Sequence, residues 1–130
     1  FSGMFDELPD VKLVHSMLGG AFFAYLNSMF RRTPPAQKDM ANRFVTDTGR
    51  FCDQIRDNIY YEMSHAQPWG RDLLECAVKI LGADHILFGS SYPVRTEWLT
   101  EGAAFVRKLD ISEKEKRMIL GENAEKIYHL

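Results

Sequence analysis

Four side chains stand where groups of their kind can move a proton or hold a cation: His15, Glu62, His65 and Ser91. Each lies in or just after a short run of apolar, β-branched or aromatic residues. His15 follows Val11-Lys12-Leu13-Val14, Glu62 and His65 follow Ile59-Tyr60-Tyr61, and Ser91 follows Ile86-Leu87-Phe88-Gly89-Ser90. Histidine titrates nearest neutrality, and a carboxylate beside it completes an acid–base pair. Tyr92 and Trp69 stand in segments that leave such runs, where aromatic rings can line an apolar pocket. Arg31 follows an aromatic stretch and can clasp a substrate carboxylate through two parallel hydrogen bonds. Plainer readings stand beside these. His15 can be a core histidine bonded to a neighbour, His65 a solvated loop residue, and Glu62 the partner of a basic side chain. Arg31 can close a helix, where a cation favours the negative end of the dipole, and Tyr92 and Trp69 can simply pack. His85 precedes its run and belongs to the opposite, structural end, while His129 sits near the C-terminus, exposed. Ser90-Ser91 lacks the Gly-x-Ser-x-Gly spacing that seats a serine nucleophile.

The elements that position these groups follow from periodicity. Residues 11–17 carry apolar side chains on both faces, as in a strand covered on both sides, and Gly19-Gly20 ends it. Residues 21–30 suit a helix. Two prolines make 31–35 a loop. From 36 to 55, Met40, Phe44, Phe51 and Ile55 recur at helical spacing, with Gly49 as an interruption, so one helix or two is expected. Residues 58–63 read as a second strand and 64–69 as a loop. A helix over 71–81 follows, with Leu73, Leu74, Ala77, Val78 and Leu81 on one stripe and Gly82 placed for a left-handed C-cap. Residues 85–89 form the third strand, and Tyr92-Pro93 turns the chain away. A helix is expected over 98–109. Ser112 and Glu115 form a capping box for the next, which Gly121 stops, and Asn123 caps a last helix over 124–128.

Strands alternating with helices imply crossovers and a parallel sheet in a single domain over 1–130. The functional side chains then gather at the C-terminal ends of the strands. Three strands cannot close a barrel and leave two open edges. The opening Phe1-Ser2-Gly3-Met4 begins mid-pattern, so an earlier segment or another subunit is expected to cover the open side.

Composition narrows the function classes. The chain has 130 residues, 45% hydrophobic and 26% charged, enough for one ordinary core. A net charge of −2 gives no basic field for nucleic acid. No apolar run is long enough to span a bilayer, and no signal peptide opens the chain. Cys52 and Cys76 are too far apart to form a metal knuckle or a disulfide framework, so reduced thiols and a cytoplasmic location are expected.

Three segments together carry a resemblance. Leu8-Pro9-Asp10-Val11-Lys12-Leu13 followed by Leu18-Gly19-Gly20 resembles the sixth-strand region of amidohydrolase family 2 barrels. Gly82-Ala83-Asp84-His85-Ile86-Leu87-Phe88-Gly89-Ser90-Ser91-Tyr92-Pro93 resembles their eighth strand, and Gly121-Glu122-Asn123-Ala124 their closing helix. The family includes decarboxylases of the aminocarboxymuconate-semialdehyde and resorcylate types and related hydrolases. The resemblance implies the last three βα units of a TIM-type (β/α)8 barrel, with parallel strands inside and helices outside. It implies a divalent metal, usually zinc, that polarises a substrate carboxylate or activates water, and a small carboxylate-bearing substrate. The metal-binding histidines of the family lie on its first and fifth strands, which are not in this sequence.

This chain departs from the pattern twice. The family's histidine before Leu-Gly-Gly is Met17, and the metal-binding aspartate of its Gly-Ser-Asp-x-Pro motif is Ser91. Both departures weigh against unaided catalysis. The leading expectation is the C-terminal part of a metal-dependent hydrolase or decarboxylase, unable to act alone. A non-catalytic half-barrel serving as a binding or assembly module is the alternative. An enzyme built on His15, Glu62, His65 and Ser91 is a third. His15 and Met17, two residues apart, are expected to share the inward face, and exposed Leu13, Met17 and Leu87 there predict a homo-oligomer or association with the rest of a barrel.

Overall fold

The structure, a computed structural model, describes residues 4–20, 22–30 and 48–130. Its sheet has three parallel strands in the order β1-β2-β3, with β1 at Leu13–His15, β2 at Ile59–Glu62 and β3 at Ile86–Leu87. The parallel sheet expected from strand–helix alternation is therefore present, in shorter strands. β1 ends at His15 because Met17, Leu18, Gly19 and Gly20 all take positive φ. β3 ends at Leu87 because the Phe88 N–H turns to the Ile119 carbonyl, 2.9 Å away.

Register decides what each strand residue faces. Leu13 pairs with Ile59, His15 with Tyr61, Tyr61 with Ile86, and Glu62 with Leu87. Partners in register share a face, and neighbours along a strand alternate. Ile59, Tyr61 and Ile86 belong to the core that the helices cover, whereas Tyr60 and Leu87, also buried, lie outside that cluster. Val14, Tyr60, Glu62 and Leu87 thus form the inner face. Two expectations are corrected. Leu13 and His15 stand on the helix-facing side, because strand pairing and not proximity to Met17 sets their direction. Leu87 is buried, 4% exposed, while Leu13 and Met17 do remain exposed at 41% and 40%.

The helices are α1 (Met4–Glu7), α2 (Phe23–Phe30), α3 (Thr48–Asn58), α4 (Arg71–Leu81), α5 (Thr96–Arg107), α6 (Glu113–Arg117) and α7 (Asn123–Tyr128). The expected loop at 31–35 and the stretch holding Met40 and Phe44 lie outside the described residues. Gly49 sits in the first turn of α3 without breaking it. On α4 the stripe holds for Leu74, Ala77 and Val78, which are buried, but Leu73 is 49% exposed. Gly82 (φ 87°, ψ 134°) takes an extended glycine-only geometry instead of a left-handed cap, and a 3-10 turn, Ala83–His85, leads into β3. The capping box is formed: the Glu115 N–H donates to Ser112 Oγ at 3.3 Å, and the Ser112 N–H donates to Glu115 Oε2 at 2.8 Å.

Gly121 does not stop the chain. Past α6 the helix widens into a π turn, Met118–Glu122, and continues into α7. Such a turn re-aims backbone groups, here offering the Ile119 carbonyl to Phe88. Asn123 is not a cap either. It is 4% exposed, and its Nδ2 donates to the carbonyls of Ala83 and Ile86, both at 2.7 Å. The buried polar side chains among the described residues are Asn58, Gln67 and Asn123.

Among the described residues Tyr61 is the largest fully buried side chain, 1% exposed, and its hydroxyl has no partner there. It borders a cavity of about 410 Å³ with Leu26, Ile55, Ile80 and Leu81. Burial pushes its phenol from 10.0 up to about 12. The neutral form is favoured only in the folded state, so this stabilisation is complete below pH 10 and is lost as pH rises toward 12. Alkaline titration followed by tyrosinate absorbance should show one tyrosine ionising near 12, and Tyr61→Phe should remove it. Asn123→Ala should cost about 2–3 kcal/mol in denaturant unfolding, because two buried carbonyls lose their donor.

Candidate active site

Three chain segments leave the C-terminal ends of the strands. They hold four of the five non-glycine residues with left-handed backbone among those described: Met17, Leu18, His65 and Ser91. The fifth, His129, closes α7. An L-residue in this region costs about 1–2 kcal/mol, and such strain persists only where the surroundings hold it.

After β1, the left-handed stretch is anchored by Leu18, which is 1% exposed. Gly19 is required twice over: its φ is 67°, and a Cβ there would lie 3.0 Å from Phe22 Cβ and 3.3 Å from the Tyr61 ring. His15 is exposed, with Nδ1 3.4 Å from the Ser16 carbonyl oxygen, on the face opposite Glu62.

At the end of β2 the carboxylate of Glu62 is half-buried on the inner face. The Ser64 N–H donates to its Oε1 at 2.7 Å, and the Ser64 hydroxyl donates to Oε2. Among the described residues no basic side chain pairs with Glu62, so the expected ion pair is replaced by a serine clip. The motif is local, because a side chain two residues on can reach back to the preceding carboxylate. His65 is half-buried, and its N–H donates to Ser91 Oγ at 2.8 Å. Its ring makes no hydrogen bond to a described residue.

At the end of β3, Gly89 supplies room. A Cβ on Gly89 would land on the Glu62 carboxylate, so the acid occupies the space where a side chain would begin. Gln67 Nε2 donates to the Gly89 carbonyl at 2.8 Å, while its buried Oε1 has no partner among the described residues. Ser91 holds φ 58°, and its carbonyl accepts from the Arg95 N–H at 3.0 Å. The two rim segments are therefore laced twice, at His65–Ser91 and at Gln67–Gly89.

The structure brings Glu62, His65 and Ser91 to one end and separates His15 from them by face. Tyr92 is there too, 63% exposed. Trp69 ends a 3-10 turn, Gln67–Trp69, and packs its ring 6.4 Å from that of Phe23. Arg31 lies outside the described residues. His85 occupies the opposite end, as expected, with Nδ1 2.9 Å from the Ile59 carbonyl and its ring stacked on Tyr60. From sequence, Ser64 and Gly89 enter only as members of their segments, without a role, and Gln67 is missed. Only the Glu-x-Ser spacing offered a local signal. The partner of Gln67 lies 22 positions away.

The chemistry of the end is acceptor-rich: the Glu62 carboxylate, the Ser91 hydroxyl and the Gln67 amide oxygen, which has no partner among the described residues. Among the described residues no three His, Cys, Asp or Glu side chains come together to hold a metal ion. Ser91 already accepts a hydrogen bond, and a neutral hydroxyl is a weak ligand for a hard cation. These residues by themselves do not fit a resident metal. Gln67→Ala should speed amide hydrogen exchange across 89–92 and cost about 1–3 kcal/mol. Unchanged exchange there would show that the amide clasp holds nothing.

The sequence pattern of the family described as amidohydrolase matches residues 1–130. Comparison with curated protein sequences gives no match. Among solved structures, a dihydroxybenzoic acid decarboxylase from Polaromonas sp. JS666, with bound manganese and the inhibitor 2-nitroresorcinol, is 23% identical with a TM-score of 0.77. That comparison covers 99% of this chain and 37% of the other. A 5-carboxyvanillate decarboxylase from Sphingomonas paucimobilis is 21% identical with a TM-score of 0.75, again over 99% and 37% of the two chains. A 2,6-dihydroxybenzoate decarboxylase from Rhizobium is 20% identical with a TM-score of 0.72, over 98% and 37%. The chain thus spans little more than a third of the length of these structures, and the likeness shows a common fold.

Proposed function

The chain belongs to the amidohydrolase family, and on that footing we propose that it forms the last βα units of a divalent-metal-dependent barrel enzyme. The reaction is decarboxylation or hydrolysis of a small aromatic carboxylate. The observation that supports this best is the family match over the whole of 1–130, joined to a parallel sheet that superposes on decarboxylases with bound manganese or dihydroxybenzoate. The metal is zinc by family habit or manganese as in those neighbours, and a strand partner outside this chain supplies most of its ligands.

From this side of the barrel the chain would contribute Glu62, His65 and a rim. Decarboxylation breaks the bond between ring carbon and carboxylate, leaves the electron pair on that carbon, and needs a proton there. His65, half-buried with its ring bonded to no described residue, would carry that proton. Glu62 supplies fixed negative charge on the inner face. Tyr92 would lie over the substrate ring, Trp69 would back that lip, and Arg31 would hold the substrate's carboxylate. His15 has no role on this side of the sheet. Among the described residues no helix is long and apolar enough to cross a membrane, and the protein would work in the cytoplasm as a homo-oligomer.

One observation favours a second reading. Ser91 stands where the family places a metal-binding aspartate, and its hydroxyl is committed to the His65 N–H. A non-catalytic barrel acting as a binding or assembly module would carry such changes. The full-length protein, loaded with manganese or zinc, should release carbon dioxide from 2,6-dihydroxybenzoate or 5-carboxyvanillate, and chelation should abolish this. His65→Ala should lower kcat by roughly 100- to 10,000-fold. A protein that retains no metal and turns over no aromatic carboxylate would support the binding module instead.

A further inference from the structure

We propose that the cavity between the sheet and its helices is a binding site for a small uncharged alcohol, a molecule with an apolar body and one hydroxyl, anchored by the Tyr61 hydroxyl. The site is separate from the candidate active site and does not depend on the metal-dependent reading. Tyr61 belongs to the core that the helices cover, whereas its neighbour Glu62 stands on the inner face. Helices α2, α3 and α4 converge on Tyr61. Leu26 from the first, Ile55 from the second, and Ile80 and Leu81 from the third wall a space of about 410 Å³.

Three features of the cavity select this ligand. First, the Tyr61 side chain is 1% exposed, and its hydroxyl has no partner among the described residues. Burying a hydroxyl unpaired is unfavourable, and a bound hydroxyl would pair with it. The ring cannot swing aside to find another partner, because the backbone at Gly19 packs against its edge: a Cβ there would lie 3.3 Å from Cε1 and 3.4 Å from Cδ1. Second, the lining holds no spare charge. It contains no carboxylate among the described residues. Arg56, at its border, is held by Asp53 and by Asp57, the latter 3.2 Å from Nε. His85 donates from Nδ1 to the Ile59 carbonyl at 2.9 Å, and its Nε2 lies 3.8 Å from Asp84. An ion entering here would give up water and meet no free counter-charge. Third, aliphatic walls surround a single unsatisfied polar atom. A water molecule needs about two to four polar partners and is poorly held in such a space. An alcohol uses the one partner available and buries its carbon skeleton against leucine and isoleucine.

The test is titration of cyclohexanol into the full-length protein, followed by saturation-transfer NMR and by the tyrosine difference spectrum, with thermal unfolding to confirm that each variant is folded. Cyclohexanol should bind and shift the absorbance of one tyrosine. Tyr61→Phe should weaken binding by about three- to tenfold, the worth of one hydrogen bond, and remove the tyrosine signal. Cyclohexanecarboxylate, which keeps the ring and adds a charge, should not compete. Ile80→Trp, which fills the space, should abolish binding. If that variant fails to fold, Leu81→Phe replaces it with the same expectation. Should cyclohexanol not bind, or bind Tyr61→Phe and the filled variant as tightly as the unmodified protein, the site is overturned. Turnover of aromatic carboxylates, measured separately, would be decided by neither result.

Discussion

Three buried side-chain amides hold this sheet in place. Its strands are three, four and two residues long, so the ladder alone offers few hydrogen bonds. Asn58 donates to the carbonyls of Pro9 at 2.6 Å and Val11 at 2.8 Å, fixing the entry to β1 against the start of β2. Asn123 does the same for β3 through Ala83 and Ile86, and Gln67 fixes the exit from β3 at Gly89. An amide suits the task. One nitrogen carries two donors, and no charge has to be stripped of water. Removing such a group leaves carbonyls buried and unmet, so each pin is worth more than its own bonds.

With its strand ends fixed in this way, the fold can tolerate strain at the opposite rim. Left-handed backbone at Met17, Leu18, His65 and Ser91 is unfavourable residue by residue. It is sustained by burial of Leu18, by the bond from His65 to Ser91, and by the clasp of Gln67 on Gly89. The π turn at Met118–Glu122 belongs to the same economy of backbone groups. It turns one carbonyl to Phe88, where β3 has no further strand partner among the described residues, and carries Asn123 under the sheet.

The rim so built is unusual in its charge. A carboxylate lies on the inner face with hydrogen-bond donors from a single serine and no basic side chain paired with it among the described residues, next to a glycine whose absent side chain makes the space. A three-stranded layer has no facing wall of its own, and the chain spans 37% of the length of the decarboxylase structures that share its fold. The negative charge of Glu62 is therefore turned toward whatever completes the interior.

By itself the sequence determined what depends on neighbours within a few positions. The helix at Arg71–Leu81, the capping box of Ser112 and Glu115, the alternation that requires parallel strands, and the strand ends where Glu62, His65 and Ser91 gather all follow from spacing and local hydrogen bonding. The motifs around Leu18-Gly19-Gly20 and Gly89-Ser90-Ser91 carried the family, since their left-handed turns and close approaches restrict the residue types allowed. Only the tertiary structure decided which face His15 takes, because register with Tyr61 settles it. It alone turned Asn123 from a helix cap into a staple, matched Ser91 with an amide 26 positions away, and seated Glu62 in the space of Gly89. These outcomes depend on which distant backbones meet in the sheet, and no local spacing encodes that.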